Sequence, residues 1–113
     1  DEDYRKADPQ SYHRLAGDMD ALPIHQVSIE DAHCCNDLEL LGLFQNTAVI
    51  FGSVAVARSR IETVDEGVER IRDAQQHIDR ERLVIAPDCG LGMLTRDLAV
   101  AKLDVMCRAA ALA

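Results

Sequence analysis

Three places in this chain carry side chains that could do chemistry, and each follows directly on an apolar run. They are Glu30 after Val27-Ser28-Ile29, the segment Ala57-Arg58-Ser59-Arg60 after a β-branched stretch, and Asp88-Cys89 after Leu83-Val84-Ile85-Ala86-Pro87. In parallel α/β folds, reactive groups gather at the carboxyl ends of the strands. A carboxylate closing a buried strand is costly to leave unpaired, so Glu30 needs a metal, an arginine or a helix N-terminus beside it. A plain salt bridge meets that need as well as a metal does. Cys89 sits in Pro87-Asp88-Cys89-Gly90, with Gly92 close by, and glycines let the backbone bend near a bound species. A thiolate there is a good soft ligand, although a free cysteine also serves as a small buried apolar residue. Arg58 and Arg60 suit either an anionic substrate tail or surface salt bridges.

The elements that must position these groups can be read from period and punctuation. Asp8-Pro9 starts a helix, with Asp8 as cap and Pro9 at the first helical position, and Tyr12, Leu15, Ala16, Met19 and Leu22 recur at helical spacing. Pro23 closes it. Gln26-Val27-Ser28-Ile29 is a short strand, and Asn36 is placed to cap a second helix with Leu38, Leu41 and Phe44 on one face and Gly42 as its weak point. Residues 47–56 are β-branched and apolar, which predicts a second strand. Thr63-Val64-Asp65-Glu66 has the spacing of a capping box, and Val64, Val68, Ile71, Ala74 and Ile78 step along the helix it starts. Arg82-Leu83-Val84-Ile85-Ala86 predicts a third strand, and Thr95 caps a last helix carrying Leu98, Leu103 and Met106. Strand and helix thus alternate three times after an initial helix, the pattern of a parallel α/β sheet. A closed (β/α)8 barrel takes about 250 residues, so these 113 residues are expected to supply about three β/α units from its C-terminal third. The missing initiating Met fits a partial sequence of that kind.

Composition narrows the functional classes. Twelve Lys plus Arg against twenty Asp plus Glu give a net charge of −8, the wrong sign for nucleic-acid binding by phosphate neutralisation. No apolar run of about 18 residues is present to span a membrane, and the acidic opening is unlike a secretory signal. A cytoplasmic location is therefore expected. Without a signal, and with Cys34 and Cys35 adjacent, the four cysteines are read as free thiols or a metal ligand rather than a disulfide framework.

Val27-Ser28-Ile29-Glu30 followed by Asn36-Asp37-Leu38-Glu39-Leu40-Leu41 resembles the segment after the sixth barrel strand of cobalamin-independent methionine synthases. Glu81-Arg82-Leu83-Val84-Ile85-Ala86-Pro87-Asp88-Cys89-Gly90-Leu91 resembles their eighth strand and its zinc loop, and Arg60-Ile61-Glu62-Thr63-Val64-Asp65-Glu66 the intervening helix start. The second of these motifs is the specific one. The resemblance implies that Glu30 and Cys89 are two of four Zn2+ ligands, with the others in an upstream His-x-Cys motif that this sequence lacks. It also implies the partners: a small-molecule thiol, homocysteine, and a methyl donor, a methyltetrahydropteroyl polyglutamate. Glu30, Arg58 and Ser59 are the expected substrate contacts, Arg58 and Arg60 facing a polyglutamate or sulfonate tail.

Two departures from the family pattern carry consequences. Where the family has Ile-His-Ser-Pro after its seventh strand, this chain has Val56-Ala57-Arg58-Ser59, so a donor-contacting or acid-base histidine is missing. The loop after Glu30 reads Asp31-Ala32-His33-Cys34-Cys35, where the family is richer in Ser; these residues are extra metal ligands or merely solvated. The competing readings are thus a methionine synthase segment, a related zinc thiol alkyltransferase such as an epoxyalkane:coenzyme M transferase, and an inactive packing module. His13, His25 and His77 read as surface or helix-end residues, Asp65, Glu66 and Asp97 as helix-start carboxylates, and Cys107 as a packing residue.

Overall fold

Thr63 and Glu66 form the reciprocal capping box that their spacing predicts, and helix α2 (Val64–Gln75) runs from it with Ile71 and Ala74 buried. This is the best-specified element of the computed structural model, which describes residue 8 and residues 10–113. Around it lie α1 (Ser11–Asp20), β1 (Gln26–Glu30), a 3-10 helix (Leu38–Leu43), β2 (Ala48–Val54), β3 (Leu83–Pro87) and α3 (Arg96–Leu112). Thr95 caps α3, its hydroxyl accepting from the Leu98 amide. Pro9 lies outside the described residues; Asp8 is not the cap expected, because α1 starts at Ser11 with Gln10 in the cap position and no side-chain cap bond, and Asp8 accepts from the Gln10 amide ahead of the helix, at 2.9 Å.

The strands form one parallel sheet in the order β1-β2-β3. Ile29 lies opposite Phe51, and Phe51 opposite Ile85. The register shifts between Gly52 and Val54, a local irregularity at the end of the sheet where the loops gather. Ile29, Val49 and Phe51 join Leu38, Leu40, Leu41, Phe44, Ala74 and Ile78 in the core. Burying side chains of this size is worth about 1.5–3 kcal/mol each against the entropy of ordering them.

Several expectations are corrected. The second helix is a 3-10 turn capped by Asp37, whose side chain accepts from the Glu39 amide, and not an α-helix capped by Asn36. Asn36 is engaged upstream instead: its side chain donates to the Glu30 carbonyl at 2.6 Å and its backbone amide to Asp31. Leu38, Leu40 and Leu41 must all be buried within four residues, and in a 3-10 helix Leu38 and Leu41 stack above each other. Leu15 and Leu22 are about half exposed, so only Tyr12, Ala16 and Met19 carry α1 onto the core. Cys107 is exposed on α3, not packed; Lys102 and Ala109 are the residues that helix buries. A Cβ at Gly67 would lie 2.7 Å from the Ala109 Cβ, so α2 and α3 meet at a point with no room for a side chain on residue 67.

Candidate functional site

Asp88 organises the carboxyl end of the sheet. Its side chain is fully buried, yet every oxygen has donors: Oδ1 accepts from the Asp31 and Ala32 amides at 3.1 Å each, and Oδ2 from the His33 amide at 2.9 Å. The His33 Nδ1 adds a bond of 2.6 Å to Oδ2. A buried carboxylate is tolerable only when its lone pairs are met in this way. The loop after β1 is therefore wrapped around the first residue after β3. Gly52 makes the approach possible, because a Cβ there would stand 2.5 Å from Asp88 Oδ1, 2.8 Å from its Cα and 3.0 Å from the Ile29 carbonyl oxygen.

His33 is fixed at both ring nitrogens. Nδ1 donates to Asp88, and Nε2 accepts from the Ala57 amide at 3.2 Å. An acceptor at Nε2 requires the neutral ring with its proton on Nδ1. His33 is thus neither solvated nor free to ligate a metal. Glu30, His33 and Asp88 do place one donor atom each within 4.8 Å of one another. Both His33 nitrogens and both Asp88 oxygens already carry hydrogen bonds.

A second polar layer braces the loops from behind. Asp31 is buried and receives the Arg70 guanidinium in a two-pronged contact, Nε at 2.7 Å and one terminal nitrogen at 2.8 Å. Hydrogen bonding to Asp31 holds Arg70 even more firmly protonated than usual. Lys102, fully buried on α3, donates to the Arg60 carbonyl at 2.5 Å and to Glu62 at 3.1 Å. Glu62 in turn accepts from the Ala55 amide. Sequence position marks Asp88 only as the neighbour of Cys89 and Asp31 only as part of the loop after Glu30, while Arg70 and Lys102 carry no expectation. A lysine amid apolar helix residues was the one available signal.

The residues expected from sequence are distributed as follows. Glu30 ends β1 and Cys89 follows β3, so both lie at the same end of a parallel sheet. Each is one residue from the hydrogen-bonded pair Asp31–Asp88. Cys89 is exposed and lines a cleft of about 650 Å³ with Arg58, Ser59, Met93 and Thr95. Arg58 and Arg60 part company here. Arg60 is held by Glu66 through two bonds of 2.5 and 3.0 Å, and the Arg60 hydrogen bond keeps the Glu66 carboxyl below its ordinary range. Arg58 forms no ion pair among the described residues. The Cys34 thiol approaches Glu30 at 4.0 Å, and Cys35 adopts a left-handed backbone with φ of 50°.

Parallel strands with their polar groups gathered beyond the carboxyl ends, and helical segments between and after them, are about three β/α units of a (β/α)8 barrel. A family model described as the catalytic domain of cobalamin-independent synthase matches residues 10–112. The methionine synthase of Pyrococcus abyssi is 38% identical over 100 residues, covering 88% of this chain and 30% of that protein. That of Pyrococcus horikoshii is 35% identical over 100 residues with the same coverage. A solved B12-independent methionine synthase from a Shewanella species, in complex with selenomethionine, superposes with a TM-score of 0.85 at 26% identity, over 89% of this chain and 30% of that one. The chain belongs to the cobalamin-independent methionine synthase family. It spans about 30% of the length of these relatives. Among the described residues, no helix is long and apolar enough to cross a membrane.

Proposed function

We propose that this chain is part of a catalytic barrel domain in which Glu30 and Cys89 are two ligands of a Zn2+ centre for thiol methylation. The reading has homocysteine as the thiol and a methyltetrahydropteroyl polyglutamate as the donor, with the remaining ligands, a His-x-Cys pair, lying upstream in the full-length protein. The observation that supports it best is the Asp31–Asp88 contact, which joins the residue after Glu30 to the residue before Cys89. The donor set fits: a carboxylate that can yield its place and a thiolate that stays are suited to a thiol-binding zinc site. When bound, zinc supplies a substrate sulfur held as thiolate at neutral pH.

The chain's own residues have separable tasks. Cys89 presents its sulfur at the rim of the cleft, and Asp88, fully bonded, gives that loop no freedom to retreat. Glu30 is held from its backbone, where its carbonyl accepts from Asn36. Arg58, without an ion pair among the described residues, offers its guanidinium for the anionic tail of the donor, and Ser59 a hydroxyl beside it. A cytoplasmic location goes with this activity. A second reading, transfer of an epoxide-derived alkyl group to coenzyme M, is favoured by Ala57 standing where the family pattern has its histidine.

The test is metal content and turnover of the full-length protein. Cys89→Ser and Glu30→Gln should each lower bound zinc and abolish methionine formation. Equal zinc in wild type and Cys89→Ser overturns the ligand assignment. Product from coenzyme M and an epoxide, with none from homocysteine, selects the second reading.

A further inference from the structure

The loop after β1 needs no imidazole to stay on Asp88, since the amides of Asp31, Ala32 and His33 already hold it there. What the His33 ring adds is reach. Its far nitrogen accepts the Ala57 amide, and among the described residues this is the single hydrogen bond to the backbone of residues 56–59. The segment is fixed on either side, by Ala55 donating to Glu62 and by the Arg60 carbonyl accepting from Lys102. Between those two clamps lie Arg58 and Ser59, which form one wall of the Cys89 cleft.

We propose that His33 is a positioning residue: anchored on Asp88, its ring tethers Ala57 and so sets where Arg58 stands relative to Cys89. All three strand-end loops are thereby linked through one imidazole, from Asp88 after β3, through His33 after β1, to Ala57 after β2. The ring is well placed for this, because its Nδ1 is occupied by a buried carboxylate that leaves only the acceptor nitrogen facing outward. The kinetic consequence rests on the reading of Arg58 as a donor contact; the tether itself does not.

Two near-isosteres separate the bonds. His33→Asn puts an amide nitrogen where Nδ1 was and keeps the Asp88 bond but cannot reach Ala57, whereas His33→Gln extends an acceptor toward Ala57. In the full-length protein, His33→Asn should speed amide exchange of residues 56–59 and raise KM for the methyltetrahydropteroyl polyglutamate donor by roughly threefold to tenfold, the value of one lost hydrogen bond. Zinc content and kcat should stay within about twofold, and His33→Gln should restore most of the loss. In an Arg58→Ala background, His33→Asn should add nothing further to KM, since residues acting through one contact are not additive. Unchanged exchange at residues 56–59 in His33→Asn overturns the tether. An equal rise in KM with and without Arg58 overturns its action through Arg58. Faster exchange with KM unmoved by Arg58→Ala instead overturns the substrate role of Arg58 and leaves the tether standing.

Discussion

Replacing Asp88 by Asn changes one atom's chemistry at nearly constant shape, so any effect reports hydrogen bonding rather than packing. Four donors converge on the carboxylate, two on each oxygen. An amide has one oxygen, so its NH2 must face one of these pairs. If it replaces Oδ2, it meets the His33 amide and forces the ring to move its proton to Nε2, where that proton would point at the Ala57 amide. If it replaces Oδ1, it meets the Asp31 and Ala32 amides, which retain the Gly52 carbonyl as a partial fallback at 3.0 and 2.9 Å. The second placement is the cheaper one. Even so, it sets buried donors against donors, at about 1–3 kcal/mol for each group left unmet. The expected loss is about 2–4 kcal/mol. With a urea slope of about 1–3 kcal/mol per M, this lowers the midpoint by about 0.7–4 M in equilibrium unfolding followed by circular dichroism. A change under about 0.5 kcal/mol would mean that Asp88 is not the hub of the loops, since one lost bond alone exceeds it.

Two further outcomes follow from groups outside the cleft. Lys102→Met removes the cation that Glu62 and the Arg60 carbonyl share, and it should cost roughly 3–5 kcal/mol by leaving a partly buried carboxylate unpaired. Adding Glu62→Gln should recover part of that loss, and strict additivity in thermal unfolding would show the pair to be uncoupled. Asp20 accepts the amides of Gln45, Asn46 and Thr47. Burial pushes its carboxyl up, but these bonds outweigh it and hold it below the ordinary aspartate value of 3.8. Since the folded state binds the proton less tightly than the unfolded one, the contribution is complete above that value and fades as pH falls through the depressed one. Asp20→Asn should flatten this part of the acid titration of stability, so parallel curves for variant and wild type below about pH 4 would refute the linkage.

Much of the fold was legible because local signals agreed with burial. The capping box at Thr63 and Glu66 and the cap at Thr95 are found as spaced, and each strand lies within one or two residues of its expected bounds. The turn at Leu38–Leu43 was not legible, since the choice between α and 3-10 was made by Asn36 engaging Glu30 and Asp31 across the loop. The site divides along the same line. Glu30 and Cys89 announce themselves by type and by following a strand. Asp31 and Lys102 read as ordinary charged residues until burial shows what meets them, and Asp88 stands out only as the neighbour of Cys89. His33 shows this most clearly, because nothing in Asp31-Ala32-His33-Cys34-Cys35 indicates that its partners are 55 and 24 positions away.

Gly52 sits where β1, β2 and the Asp88 loop press together, and the space it leaves is narrower than a methyl group. Mutational drift at this position is blocked from both directions: any larger residue must push either the Ile29 carbonyl or the Asp88 backbone outward. Either displacement would widen the gap between the two outer strands' loops. In any redesign of this end of the sheet, residue 52 is therefore the calibration point to leave alone, and the exposed wall around Arg58 the place to vary.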